Sequence, residues 1–203
     1  MLRHIATIGG WTMASRILGF ARDMLIAARL GAGPLADAFF VALKLPNLFR
    51  RLFGEGAFNA AFIPAFTQAY TRQGAAAARA LAERLGTLLA LWLAVLTVLG
   101  MVFMPQLLAL LAPGFPTRGA DQFALAVELT RICFPYLFFI CLAALMGGVL
   151  NGMGRFSAAA AAPVFFNLLA MAALLWLTPY VATPAHALSW GVLASGAVQL
   201  GIV

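Results

Sequence analysis

The sequence LGTLLALWLAVLTVLGMVFMPQLLALL, which spans residues 85–111, contains no Asp, Glu, Lys or Arg. It is 27 residues long, and an α-helix needs only ~20 to cross the hydrocarbon core of a bilayer. A helix is suited to that environment because it satisfies its backbone hydrogen bonds internally. The stretch therefore predicts a membrane-spanning helix.

The composition of the whole chain agrees with this prediction. Of the 203 residues, 64% are hydrophobic and only 9% are charged, whereas soluble domains carry about 25% charged residues. These values exclude a soluble globular enzyme, a disordered chain and a collagen-like repeat. The apolar residues form long runs rather than alternating segments of about ten residues, which argues against an outer-membrane β-barrel. We therefore expect an all-α polytopic membrane protein.

Turn-forming residues divide the chain into six predicted membrane helices. The segment GAGP at residues 31–34 ends the first helix, and similar segments separate the others. We expect Pro46 to kink the second helix because it lacks a backbone donor, and the polar residues 71–84 to form a short helix at the membrane surface. The predicted helices cover residues 5–30, 35–70, 85–111, 122–150, 158–177 and 185–203.

The end of the sequence bears on its domain organisation. The last apolar run continues to Val203 with no flanking Lys or Arg, although such residues usually anchor a membrane helix at the interface. We therefore expect residues 1–203 to form one transmembrane lobe of a longer protein. The sixth helix is expected to be truncated within or at its end.

The basic residues predict the orientation of the chain. Thirteen Lys and Arg residues against six Asp and Glu give a formal net charge of +7. No basic run with interleaved polar residues is present to bind a nucleic acid, and the cytoplasmic ends of membrane helices are usually basic. With the N-terminus in the cytoplasm, Arg29 and Arg118 lie outside, and five arginines lie inside: Arg3, Arg72, Arg79, Arg84 and Arg155.

Charged residues also occur inside the first predicted helix, where the bilayer penalises them. Arg16 and Arg22 lie near its middle, and each charge at the bilayer centre costs about 2.5–3.5 kcal/mol on the mildest scale. Six residues of helix correspond to about 9 Å along the axis and about 120° around it. Both side chains can therefore border one wide cavity, and we expect them to face such a cavity or a partner charge.

A cavity lined by arginines predicts an anionic ligand. Guanidinium groups match the oxygens of phosphate and pyrophosphate bidentately and keep their charge. The expected ligand therefore joins such a group to a membrane-soluble part. The alternative is that the charges only neutralise one another, with Arg22 paired to Asp37 and Arg51 paired to Glu55.

Other polar residues predict local structure rather than chemistry. Glu128 and Arg131 are expected to form a local ion pair, and Asn167 a contact between helices. Cys133 and Cys141 lie in an apolar run and are expected to be buried. The sequence contains no GxSxG, Walker A, HExxH or metal-binding cluster. We therefore expect a transporter rather than an enzyme, without a metal or other cofactor, whose energy source the sequence leaves open.

Two long segments near the start of the chain carry a family resemblance. They are SRILGFARD at residues 15–23 and ADAFFVALKLPNLFRRLFGEGAF at residues 36–58. Together they closely resemble the MurJ (MviN) family of bacterial lipid II flippases, in the MOP exporter superfamily. The resemblance runs the whole length of the chain, and shorter segments that agree with it are residues 112–115 (APGF), 134–136 (FPY), 150–151 (LN) and 155–156 (RF).

This resemblance implies a fold and a function. The family has fourteen transmembrane helices, in two six-helix lobes and a final pair, so the chain would be the N-terminal lobe of a MurJ-like transporter. Members flip the undecaprenyl-pyrophosphate-linked peptidoglycan precursor, lipid II, to the outer face of the bacterial inner membrane by alternating access, for cell-wall synthesis. The implied partners are lipid II, membrane lipids and the C-terminal lobe of the same protein.

The resemblance also implies roles for individual residues. In the family, the two arginines of the first helix are implicated in binding the pyrophosphate. The residues that match cavity positions are Arg16, Arg22, Asp37 and Arg50, and those that match gate or ion-pair positions are Asp23, Arg51 and Glu55. The family's further cavity arginine and its ion-site residues belong to later helices, so ion coupling is left open.

Two alternatives to a lipid II flippase are compatible with the sequence. One is a MOP-superfamily exporter of another lipid-linked oligosaccharide, a drug or a metabolite, and the other is a membrane scaffold that transports nothing. An exporter of cationic drugs is expected to place carboxylates in its cavity, whereas arginines favour an anionic lipid. A scaffold would tolerate the loss of Arg16 and Arg22. Flippase and exporter share a fold, so the fold does not decide between them.

Overall fold

The computed structural model describes residues 2–51, 57–155 and 157–203. Within these ranges the chain forms helices and turns without a β-strand, which confirms the expected all-α class. A π turn at Ala173–Leu177 and two 3-10 turns, Pro116–Arg118 and Thr178–Tyr180, supplement the α-helices. The α-helices are α1 Leu2–Leu30, α2 Pro34–Phe49, α3 Ala57–Gln73, α4 Ala75–Val102, α5 Met104–Leu111, α6 Ala120–Cys133, α7 Tyr136–Gly152, α8 Ser157–Ala172 and α9 Pro184–Ile202.

The first half of the chain has different helix boundaries from those predicted. The predicted second helix corresponds to α2 and α3, with Pro46 buried inside α2. The predicted surface helix at residues 71–84 is not a separate element. Instead, α3 continues to Gln73, Gly74 turns the chain with φ +90°, and α4 runs without a break from Ala75 to Val102. Glycine adopts this positive φ without the steric cost that other residues incur.

Pro105 accounts for the break between α4 and α5. Its nitrogen carries no hydrogen, so it cannot donate to the carbonyl four residues back, that of Met101. A side chain from α6 supplies the missing donor, since Nε of Arg131 donates to the Met101 carbonyl at 3.1 Å. The expected local pair of Arg131 with Glu128 is therefore wrong. Glu128 instead contacts Nε2 of His186 on α9 at 3.3 Å.

Helix α9 lies at the centre of the described bundle, where it packs against α6, α7 and α8. Its buried residues include small ones that let the neighbouring helices approach closely. A Cβ atom added to Gly191 would lie 2.6 Å from Cβ of Ala173, and one added to Gly196 would lie 2.8 Å from Cδ2 of Tyr136. Neither position has room for a larger side chain.

Helix α1 has two contrasting faces. It packs mainly against α8, and this side carries Ser15, Gly19 and Arg22. Other residues form an exposed apolar stripe at helical spacing, namely Met13, Ile17, Phe20 and Met24, each at least 60% exposed. In a membrane, such a stripe is suited to lipid or to another apolar surface.

Three helical segments of the described chain are long and apolar enough to cross a membrane. They are Ala75–Val102, Ala120–Gly152 and Ser157–Tyr180. The second includes both α6 and α7, and the third includes α8 and the turns that follow it. Three of the six predicted spans are therefore recognisable by length and composition. The first predicted span is interrupted by charged residues such as Arg16 and Arg22, which the fold turns towards a cavity.

Candidate functional site

A cavity of about 520 Å³ opens between α1, α2, α7, α8 and α9. Its apolar wall comes from residues such as Phe39, Phe166 and Val192. Charged and amide side chains are set into this wall, and they are Arg16, Arg22, Asp23, Asn47, Arg50, Asn167 and Gln199. The cavity therefore combines an apolar lining with three arginines and one aspartate.

Arg22 is held on three sides. Its Nε and Nη2 atoms donate to one oxygen of Asp23, at 3.0 and 2.8 Å, and its Nη1 donates to the side-chain oxygen of Asn167 at 2.8 Å. The guanidinium carbon also lies 5.4 Å from the centre of the Phe166 ring, within the range of a cation–π contact. With 24% of its side chain exposed, Arg22 is fixed in place at the wall of the cavity.

These contacts leave part of the guanidinium available. An arginine has five N–H donors, one on Nε and two on each terminal nitrogen. Within the described part of the chain, Arg22 uses one donor on each of the three nitrogens, so one N–H remains on Nη1 and one on Nη2. Two N–H groups on one edge of a guanidinium can bind phosphate oxygens bidentately.

Asn167 joins the cavity wall to α1. Its side-chain nitrogen donates to the Ser15 carbonyl at 2.9 Å, while its oxygen accepts from Arg22. Only 4% of Asn167 is exposed, so the amide itself is buried, although its partner Arg22 is partly exposed at the cavity. The expected role of Asn167 as a contact between helices is observed, and the same amide also contacts the cavity arginine.

The structure places the other predicted site residues in different surroundings. Arg16, Asp23 and Arg50 line the same cavity as Arg22. Asp37 is exposed in the first turn of α2, outside the cavity lining. Arg51 borders a different cavity of about 730 Å³ beside α2, together with Lys44, and Glu55 lies outside the described residues.

The alternative in which Arg22 pairs with Asp37 is wrong. The ion-pair partner of Arg22 is the adjacent Asp23, at 2.8 Å from Nη2. Asp23 accepts from the edge of the guanidinium formed by Nε and Nη2. Asp23 therefore pairs with the charge of Arg22, and two N–H donors of the guanidinium remain unused.

Sequence reasoning missed the cavity amides Asn47 and Gln199 and the aromatic contact of Phe166. Amide and aromatic side chains occur at many positions in apolar helices, and nothing in their local spacing distinguishes these. Across the described ranges, no group of three or more His, Cys, Asp or Glu side chains is placed to hold a metal ion. Cys133 and Cys141 are buried, as expected.

Comparison with known proteins identifies the family. The family model described as "Lipid II flippase MurJ" matches residues 26–202. The chain belongs to the MurJ family. Membership confirms the resemblance of the N-terminal motifs, and together with the three apolar segments it shows that this is a membrane protein.

MurJ relatives extend the match over the cavity arginines of α1. The "Probable lipid II flippase MurJ" of Rhizobium tropici is 44% identical over 207 aligned residues, which cover 100% of this chain and 39% of that protein. The "Lipid II flippase MurJ" of Burkholderia cenocepacia is 42% identical, with 98% of this chain and 38% of that protein covered. The chain thus spans about two fifths of the length of these relatives.

A solved MurJ structure shares the fold. It is described as "Lipid II flippase MurJ, inward closed conformation", and it superposes with a TM-score of 0.79 at 26% sequence identity. The match covers 96% of this chain and 40% of the other. The nine helices described above therefore correspond to part of a larger MurJ transporter.

Proposed function

We propose that this chain is the N-terminal lobe of a lipid II flippase and that its arginine-lined cavity binds the pyrophosphate of the lipid-linked precursor. The observation that carries the proposal is the Arg22 guanidinium, which is fixed at the cavity wall with one N–H still available on each terminal nitrogen. The names of the relatives and the family support the same substrate.

The charge of the cavity favours an anionic headgroup. Arg16, Arg22 and Arg50 outnumber the one acidic lining residue, Asp23. Inside an apolar wall of low dielectric constant, this imbalance attracts an anion more strongly than it would in water. An exporter of cationic compounds would require the opposite balance, so the lining supports a flippase over that alternative.

The proposal also includes the location of the chain, its orientation and its mode of transport. The chain lies in the bacterial inner membrane with its N-terminus in the cytoplasm, it acts as a transporter rather than an enzyme, and it works with a second lobe of the same protein. Transport proceeds by rocking of the two lobes about the bound headgroup. Arg51 and Glu55 act as ion-pairing residues of a gate, together with Asp37, which is not among the cavity-lining residues, and Asp23 holds Arg22 within the cavity.

Replacement of Arg22 in the complete protein tests this function. We expect the wild type to restore lipid II to the outer leaflet of cells depleted of their own flippase. Arg22→Ala should reduce the restored lipid II about tenfold or more, because it removes hydrogen bonds between charged groups worth roughly 1.5–3 kcal/mol. Arg22→Lys should also fail to restore lipid II, because an ammonium group lacks the planar pair of N–H donors that a guanidinium offers to a phosphate.

Arg29→Lys is the matched control. Arg29 lies on the same helix, in its last turn, and it is not part of the cavity lining. We expect this variant to behave as the wild type, provided that all variants are equally abundant in the membrane. If the wild type restored no lipid II, or if Arg22→Ala restored as much as the wild type, the proposed function would be rejected.

A further inference from the structure

Asn167 of α8 packs against the cavity face of α1, over Gly19 and between Ser15 and Arg22. Ser15, Gly19 and Arg22 lie four and three residues apart and therefore share one side of the helix. Asn167 bonds to the first and last of these residues. Between them, a Cβ atom added to Gly19 would lie 3.6 Å from the Asn167 side-chain nitrogen, so the amide is packed directly over the glycine.

Both ends of the Asn167 amide are engaged, and this fixes its orientation. The nitrogen donates to a carbonyl and the oxygen accepts from Arg22. Rotating the amide by half a turn would place donor against donor and acceptor against acceptor. The oxygen is therefore held towards Arg22, and it occupies one of the two N–H donors on Nη1.

The neutral charge of this acceptor matters for binding an anion. Asp23 already supplies one negative charge to Arg22. A second carboxylate at position 167 would make the local charge negative, whereas an amide oxygen orients the guanidinium without adding charge. The Asp23 carboxylate neutralises Arg22, whereas the Asn167 amide orients the guanidinium without changing the net charge.

We infer that Asn167 is a positioning residue for the anion site, which holds the Arg22 guanidinium so that its remaining N–H pair faces the cavity. The inference rests on the proposed function, because it assumes that the cavity receives a pyrophosphate group. It adds to that function a residue on α8, 145 positions away from Arg22 in the sequence.

The test measures binding by the complete protein in lipid nanodiscs. The probe is undecaprenyl pyrophosphate, and neutral undecaprenol serves as the matched lipid without charge. We expect Asn167→Leu to weaken binding of the pyrophosphate lipid about 3- to 10-fold, the equivalent of roughly one hydrogen bond. Asn167→Asp should weaken it more than tenfold, although the carboxylate still accepts from Arg22, because the added charge repels the anion. Neither variant should alter the binding of undecaprenol.

Gln122→Met provides the control for loss of a contact between helices. Gln122 donates from its side-chain amide to the Pro34 carbonyl at 3.4 Å, so its loss resembles the loss of the Asn167–Ser15 bond without affecting Arg22. We expect Gln122→Met to bind both lipids as the wild type does. Thermal unfolding of each variant, recorded in the same nanodiscs, gives the folded fraction by which binding is normalised.

The outcomes separate this inference from the proposed function. If the wild type did not prefer the pyrophosphate lipid to undecaprenol, the proposed function would fail, and the inference with it. If the wild type showed the preference and normalised binding by Asn167→Asp equalled that of the wild type, Asn167 would have a structural role alone and the inference would be overturned. If Asn167→Leu does not fold, wild-type binding by Asn167→Asp is sufficient to overturn the inference.

Discussion

At the scale of single residues, Gly100 marks the point where α4 passes closest to Phe134. A Cβ atom added there would contact Cε1 of Phe134 and lie 2.6 Å from its Cζ. Phe134 is fully buried and packs edge-on against Phe49, with ring centroids 5.8 Å apart. The ring therefore has little space into which it could move.

We predict that Gly100→Ala destabilises the protein despite the better helix propensity of alanine. Overpacking of this kind costs about 1–3 kcal/mol, and alanine recovers up to about 1 kcal/mol relative to glycine in a helix. Thermal unfolding in detergent should show a lower midpoint. Gly201→Ala is the control, because nothing lies within 4 Å of the Cβ position at Gly201. Equal midpoints for the two variants would contradict the prediction.

Single residues also show what the sequence can reveal about the site. Arg16 and Arg22 could be selected because a charge inside a membrane helix needs a compensating environment, and the structure places both at one cavity. Asn167 could be assigned only to a contact between helices. Its bond to Arg22 depends on how α8 packs against α1, and local sequence does not contain that information.

At the scale of helices, Arg131 and Pro105 are linked through the Met101 carbonyl. Pro105 removes the helical donor, and Arg131 provides a replacement. We predict that Arg131→Met leaves this carbonyl without a donor when Pro105 is present, but not in a Pro105→Ala background. The second substitution restores the backbone N–H.

A double-mutant cycle measures this link. Unfolding free energies of the wild type, the two single variants and the double variant should give a coupling energy of about 1 kcal/mol, the net value of a typical hydrogen bond. The cycle separates this contribution from the general effect of removing a charge. Strictly additive effects of the two substitutions would show that Arg131 does not replace the missing donor.

Some helix boundaries follow from local sequence, whereas others depend on how the helices pack. The turn at residues 31–34 was predictable because glycine and proline end helices for local reasons, and α1 ends at Leu30. The start of α4 was not, because the polar residues 71–84 suggested a separate surface helix. In the structure, Ala78 and Ala82 are buried against neighbouring helices, so packing extends α4 to Ala75 despite its charged residues.

At the scale of the whole molecule, α1 separates a polar cavity from an apolar surface. Ser15 lines the cavity, while Ile17, two residues further on, is 62% exposed on the apolar stripe. The two cysteines of this chain, Cys133 and Cys141, are both buried and therefore poorly accessible to a thiol reagent. The two faces can therefore be distinguished by single cysteine substitutions.

We predict that a water-soluble maleimide modifies Ser15→Cys and leaves Ile17→Cys unmodified in the complete protein in membranes. The reagent reaches a water-filled cavity but not a side chain surrounded by acyl chains, where the reactive thiolate is also disfavoured. Labelling is read by mass spectrometry, and the wild type provides the background. Faster labelling of Ile17→Cys than of Ser15→Cys would reverse the assignment of the two faces.

The carbonyl contact between α4 and α6 has a consequence for the evolution of this protein. While Pro105 is present, loss of Arg131 removes the side-chain donor to a carbonyl that already lacks its usual helical donor. A lineage that replaces Pro105 first loses that constraint, and position 131 is then free to become apolar. Across an alignment of relatives, substitutions at Arg131 should therefore accumulate on branches where Pro105 has already changed, and the reverse order should be rare.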